Sequence, residues 1–398
     1  MNLTDATQNL TISSGVTLIT NRAQTWSVPA SGTLTVSGAL TASAGAALNV
    51  SVVSGGAVKL TSGTASTLLG TYATYGTSDW AAKNAANTDL VGGASVSGFY
   101  TANTTGTDQT PGANADMSVY NTGWAGGLVR LGNNRTITTV RFNGGTGGGA
   151  TGIEQKTGTA TTISGILVTP NYGAKDVNFT TGGFRPVASS SMYLHQNNTS
   201  GNLVFQSGLT ANGTNTLIKT GPGRVIISAG DGLTSTHTIT EGTLQYGNNG
   251  TAGAINSTTL SVVNHGNLQF NRTDAISVAN PISGTGDFTQ AGSGTLTLSG
   301  TNTYTGATVA KAGTLTYSTG LTNFGGGTVI RFEGGKFQWP SGNTTDISTR
   351  TLTFTGAAGL DTNGNNVTLS NSIGNGGTGG LTKSCLLYTS DAADEEDS

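Results

Sequence analysis

Charge, cysteine, proline and helical spacing are all scarce in this chain, and each absence narrows what it can be. Of 398 residues, one is cysteine (Cys385), which excludes an intrachain disulfide and a cysteine-built zinc site. Charged residues make up 9%, against about a quarter in ordinary soluble domains. The 17 basic and 19 acidic residues are scattered, apart from five acids in the last eight positions. No basic stripe is available for nucleic acid, and no polybasic patch for a membrane surface. No apolar run approaches the roughly 20 residues of a membrane span. The start, Met1 to Asp5, lacks the basic and apolar regions of a secretory signal. Proline occurs seven times, and no window keeps the i, i+3, i+4, i+7 apolar spacing of an amphipathic helix.

Glycine is abundant instead, at 63 residues, and threonine, serine and asparagine fill much of the rest. Short alternating runs recur, such as Thr33-Leu34-Thr35-Val36, Thr295-Leu296-Thr297-Leu298 and Thr351-Leu352-Thr353-Phe354. Period two puts one face inward and one outward, which predicts strands. Five segments read Gly-x-(Leu/Phe)-x-aromatic, starting at Gly201, Gly242, Gly266, Gly313 and Gly335. Their spacings of 41, 24, 47 and 22 residues approach multiples of 20–24, which predicts a coil stacking turn on turn. Such turns cannot bury their apolar faces alone. Leu203, Leu244, Leu268, Leu315 and Phe337 are then expected to form one inward column.

A larger repeat places residues 217–244 onto 288–315 at an offset of 71. Gly221, Gly223, Gly242 and Leu244 meet Gly292, Gly294, Gly313 and Leu315, while Val225 and Ile227 meet Leu296 and Leu298. At turns of about 24 residues, that offset corresponds to three turns. The run from Ser293 to Gly306, including Leu296, Leu298 and Gly300 and followed by Ala312-Gly313-Thr314-Leu315, resembles the autotransporter-associated β-strand repeat. Gly221 to Leu244 is a weaker second copy. The resemblance implies an all-β fold, a right-handed parallel β-helix (solenoid), in a secreted or cell-surface passenger. It implies a C-terminal barrel or anchor in the full-length protein, and it leaves activity open.

The expected organisation is weak β-helix turns over 1–65, a looped, aromatic-rich excursion over 66–135, and repeat-bearing turns over 136–384. Residues 385–398 read as a non-native tail that interrupts another repeat copy at Cys385. A short helix is expected around Asp79 to Ala86, from its alanines. Tyr72, Tyr75, Trp80, Tyr100 and Trp124 in the excursion are the candidate ligand-binding residues; packing against the turns is the competing reading.

The search for chemistry is mostly negative. His195, His237 and His265 have no metal-ligand spacing and read as surface or turn residues. Gly147 to Gly152 matches a dinucleotide-binding pattern, but the following Ile153 to Thr159 does not read as the helix such a site needs. Asp361 to Asn366 and Gly284 to Phe288 have calcium-like fragments but read as tight turns. Glu154 and Asp176, 22 apart, are the one acidic pair at turn spacing. They are the only candidates for a polysaccharide lyase or hydrolase on this scaffold, and a surface ion cluster with Lys156 and Lys175 is the simpler reading. No metal or other cofactor is expected. Expected partners are extracellular: glycans, cell surfaces or matrix.

Overall fold

The computed structural model describes residues 9–100, 113–117, 128–132, 134–144, 151–156, 160–374 and 378–383. Tyr120, Trp124, most of the Gly147–Gly152 pattern and the tail 385–398 lie outside the described residues. The fold is all-β, built of parallel ladders that coil into a β-solenoid. No described helix is long and apolar enough to cross a membrane. The chain divides into two compact units, Met1–Asn248 with Ala252–Leu268, and Asn249–Thr251 with Gln269–Ser398.

The first unit begins with a lobe of its own. Strands Leu10–Ile12, Thr33–Val36 and Ala57–Leu60 stack in parallel, with Leu10 opposite Leu34 and Leu34 opposite Val58. A second ladder pairs Val16–Leu18 with Leu40–Ala42, and a third pairs Ala23–Val28 with Ala47–Val52 and Ala73–Tyr75. Leu34, Val36, Leu48, Val50, Val58 and Trp26 fill the interior between these ladders. Polar outward positions keep the alternation clean, and Thr17 and Thr41 bond hydroxyl to hydroxyl at 3.0 Å along one row.

The chain then reverses direction. Asp79–Lys83 is a strand, antiparallel to Ala73–Tyr75 and to Leu90–Gly92. The helix expected from its alanines does not form. Pairing on both sides satisfies its backbone, and that outweighs a weak local propensity. The reversal also covers the lobe's last turn, since Leu60 N–H donates to the Thr88 carbonyl and Lys83 Nζ donates to the Leu60 and Ser62 carbonyls. Covering an edge in this way protects it from further strand addition.

From Asn114 onward, two ladders carry the unit. One runs through Asn114–Asp116, Thr136–Phe142, Ala160–Val168, Ser191–Gln196, Thr216–Thr220, His237–Ile239 and Val262–Asn264. The other runs through Leu128–Leu131, Gly152–Gln155, Val177–Thr180, Leu203–Phe205, Arg224–Ile227 and Thr243–Gly250. Gly152 thus opens a strand, and no helix follows the glycine pattern.

In the second unit, Asp287–Gln290, Thr308–Ala310, Val329–Phe332 and Thr351–Phe354 form one ladder. Ile276–Val278, Thr295–Leu298, Thr314–Tyr317, Lys336–Gln338, Ala358–Asp361 and Leu381–Lys383 form another.

The single expected column is two columns. Leu203 and Leu244 stack through Val225 in one ladder, whereas Leu315 and Phe337 stack with Leu296 and Leu360 in a different one. The motif marks where a strand leaves a glycine turn, and more than one side of the coil uses such turns. Its leucine and aromatic, two residues apart, both point inward: Leu244, Tyr246, Leu315 and Tyr317 are all buried.

Candidate functional site

The repeat has a specific internal geometry. In the first copy, Leu217 pairs with His237 and Val225 with Leu244. In the second, Phe288 pairs with Thr308 and Leu296 with Leu315. Each copy is therefore one turn of 19–20 residues restacked on its own start. The offset of 71 is not a whole number of turns, because the equivalent strands of the two copies, Thr216–Thr220 and Asp287–Gln290, lie in different ladders.

The three glycines of each copy meet one another across that turn. Gly242 has φ +68°, and a Cβ there would stand 2.4 Å from the Gly221 carbonyl oxygen and 2.5 Å from that of Gly223. Gly313 has φ +56°, and a Cβ there would stand 2.4 Å from the Gly292 oxygen and 2.3 Å from that of Gly294. Both positive φ and close approach demand glycine.

The turn carbonyls need donors from inside the coil. In the first copy the buried Lys219 Nζ donates to the carbonyls of Thr220 (2.9 Å), Gly221 (2.6 Å) and Glu241 (3.0 Å). At the equivalent place in the second copy, Gln290 Nε2 donates to Gly292 (2.9 Å) and Gly294 (3.0 Å). Burial pulls the Lys219 ammonium down to about 7.

A second buried polar group lies nearby in the first unit. Asp231 accepts from His237 Nε2 (2.7 Å), Tyr246 Oη (2.7 Å) and Leu233 N–H (3.1 Å), and all three side chains of this network are fully buried. Burial alone would raise the Asp231 carboxyl, but His237 and these hydrogen bonds hold it below the usual carboxylate range. No solvent or substrate reaches this network, and its role is cohesion between turns.

The lobe lies against the outward face of the first long ladder. Arg141, Leu167, His195 and Thr220 sit in register, forming one row on that face. Arg141 pairs with Asp79 (3.0 Å) and Asp116, and Leu167 packs on Trp80. His195 Nε2 meets the Thr71 carbonyl (2.8 Å), and its Nδ1 meets Thr220 Oγ1 (2.7 Å). The carbonyl can only accept, so Nε2 carries the proton and Nδ1 accepts from Thr220. Burial lowers the His195 pKa to about 4. Asn197 Nδ2 donates to the Thr77 carbonyl (2.9 Å), and Thr238 Oγ1 to Asn21 Oδ1 (3.0 Å). Gly165 leaves room for the indole: a Cβ there would stand 2.8 Å from Trp80 Cη2. A half-open cleft of about 330 Å³ remains in this seam, with Gln24, Asn49 and Thr74 on the lobe side and Asn197, Thr220 and Glu241 opposite.

The candidate aromatics take different places. Trp80 is fully buried, edge-on to His195 at 5.2 Å. Tyr100 donates to Asp79, and its ring lies beneath the Arg141 guanidinium at 4.3 Å. Tyr75 packs partly buried against the lobe core, as does Tyr72, which also lines a wide groove with Tyr193 and Val187. They do not share one surface.

Glu154 and Asp176 do not come into register either. Glu154 stands between Arg130 and Thr180, four positions from Asp176, which accepts from Asn202 N (2.7 Å) and Nδ2 (2.9 Å). His195 and His237 are buried structural residues, not surface ones, a correction that spacing alone could not supply. Asp361 accepts from Asn363 N–H (3.0 Å), Gln338 Nε2 (2.9 Å) and Lys336 Nζ (3.3 Å), the bonding of a stapled turn. Among the described residues, no three His, Cys, Asp or Glu side chains gather as metal ligands.

Two segments of the chain, residues 217–245 and 288–316, match the family model described as passenger-associated-transport-repeat. No curated protein and no solved structure matches the chain. The matched segments coincide with the two self-stacking turns and contain Gly221, Gly223, Gly242, Gly292, Gly294 and Gly313. The chain thus carries two segments similar to the passenger-associated transport repeat, each folded as a turn of parallel β-helix restacked on itself.

Proposed function

We propose that this chain acts outside the cell, as part of a secreted or surface-displayed passenger with a structural and adhesive role. The observation that carries this reading is the pair of passenger-associated repeats set in a stacked coil. A coil of this kind presents the same outward positions turn after turn, so contacts accumulate along a surface without a deep pocket. The low charge and the abundance of outward threonine, serine and asparagine suit glycans, cell-surface or matrix ligands. A C-terminal barrel or anchor in the full-length protein would hold it at the surface. The role requires no cofactor. An enzyme acting on polysaccharide is less well supported, because Glu154 and Asp176 stand four positions out of register.

Beads coated with the purified chain test the reading when offered to cells and to immobilised matrix. Saturable retention several-fold above beads carrying an unrelated β-rich protein is expected. Retention equal to that control would refute the adhesive role.

A further inference from the structure

We propose that the seam between the N-terminal lobe and the long ladder holds a binding site for a neutral mono- or disaccharide. The inference deepens the adhesive reading and rests on it for display outside the cell. The cleft of about 330 Å³ falls at the lower end of the range for small-ligand sites, roughly 300–1,000 Å³. Its walls come from two bodies of one unit, held together by the Thr71–His195 and Thr77–Asn197 hydrogen bonds. Ligand sites favour such junctions.

The lining has the chemistry of sugar hydroxyls. Gln24, Asn49 and Asn197 offer amide groups, while Thr74 and Thr220, whose protons go to Asn49 Oδ1 and His195 Nδ1, offer hydroxyl oxygens as acceptors, so the walls hold groups that both donate and accept. Ala23 and Pro222, both exposed, supply apolar surface for a ring's C–H face. Gln24 Nε2 is out of solvent reach and has no hydrogen-bond partner. An unpaired donor is costly, so a ligand acceptor that the Gln24 amide turns to meet in the cleft would relieve it.

Charge selects among sugars. Glu241 brings an exposed carboxylate to the rim. The buried Lys219 directs its ammonium to three backbone carbonyls. His195 is held neutral by burial and by its two hydrogen bonds. Nothing in the lining balances a carboxylate, sulfate or phosphate, so anionic sugars are disfavoured.

Saturation-transfer NMR and calorimetry on the purified chain test this with lactose, maltose and N,N′-diacetylchitobiose as neutral probes, and N-acetylneuraminic acid as the anionic one. At least one neutral disaccharide should bind, and the anionic sugar should not. Gln24→Leu should weaken that binding about tenfold, the worth of one hydrogen bond. Ala23→Phe, at an exposed position on the cleft wall, should abolish it while leaving circular dichroism and melting unchanged. Binding to none of the neutral probes, or wild-type affinity in both variants, would overturn the site. Bead adhesion read on the same variants separates the two proposals. Adhesion without sugar binding removes the site and leaves the adhesive role standing. Sugar binding without adhesion leaves the site and removes that role.

Discussion

At the scale of single residues, the repeat is a solution to one packing problem. A tight turn must let the next turn sit on its carbonyls. Only glycine fits at Gly242 and Gly313, where backbone oxygens of the turn below stand 2.3–2.5 Å from any Cβ. Those oxygens then need donors from within. Lys219 and Gln290 occupy equivalent positions and both supply them. Lys219→Gln should therefore change stability by less than about 1 kcal/mol, since the second copy already works with an amide. Lys219→Leu leaves the carbonyls of Thr220, Gly221 and Glu241 without their donor and should cost about 1–3 kcal/mol or more. Urea melts of the two variants check this contrast. The glycines could be read from the sequence because positive φ restricts the residue type. The donors could not, because lysine and glutamine share no motif and meet only through where they point.

At the scale of elements, the unexpected feature is the lobe. The alternation in Thr33–Val36 foretold its strands. What no local pattern could show is that Trp80 of the reversal packs over Gly165 and Leu167, far along the chain. His195 joins the two bodies through the Thr71 carbonyl, and burial favours its neutral ring. Its pKa in the folded state, about 4, lies below the ordinary 6.5. Between these values the undocked or unfolded chain binds more protons than the native one. The stabilisation is thus complete above pH 6.5 and lost as pH falls toward 4. Hydrogen exchange at Thr71 to Trp80 should quicken across that window, and His195→Gln should flatten the dependence. Exchange that is independent of pH in the wild type, after correction for intrinsic rates, would show that His195 does not control docking.

At the scale of the whole molecule, the parallel coil was legible from glycine spacing and period-two runs. The register was not. The expected single column of Leu203, Leu244, Leu268, Leu315 and Phe337 divides between ladders, because turn length varies: 24 residues from Leu10 to Leu34, 28 from Ile166 to Leu194, 19 from Val225 to Leu244. Loops that bulge from individual turns change that length without disturbing the strands they join. The candidate site was the least legible part, since the seam cleft combines residues near 24, 49, 74, 197 and 241 that no linear motif connects.

The account depends most on the claim that a repeat is one turn stacked upon itself. Arg224 and Thr243 are register partners across that turn in the first copy. With both replaced by cysteine, Cys385 changed to serine and spin labels attached, their backbones should lie about 5 Å apart. The two labels should then broaden each other's spectrum strongly, well beyond the sum of the singly labelled chains. A spectrum equal to that sum would contradict the account.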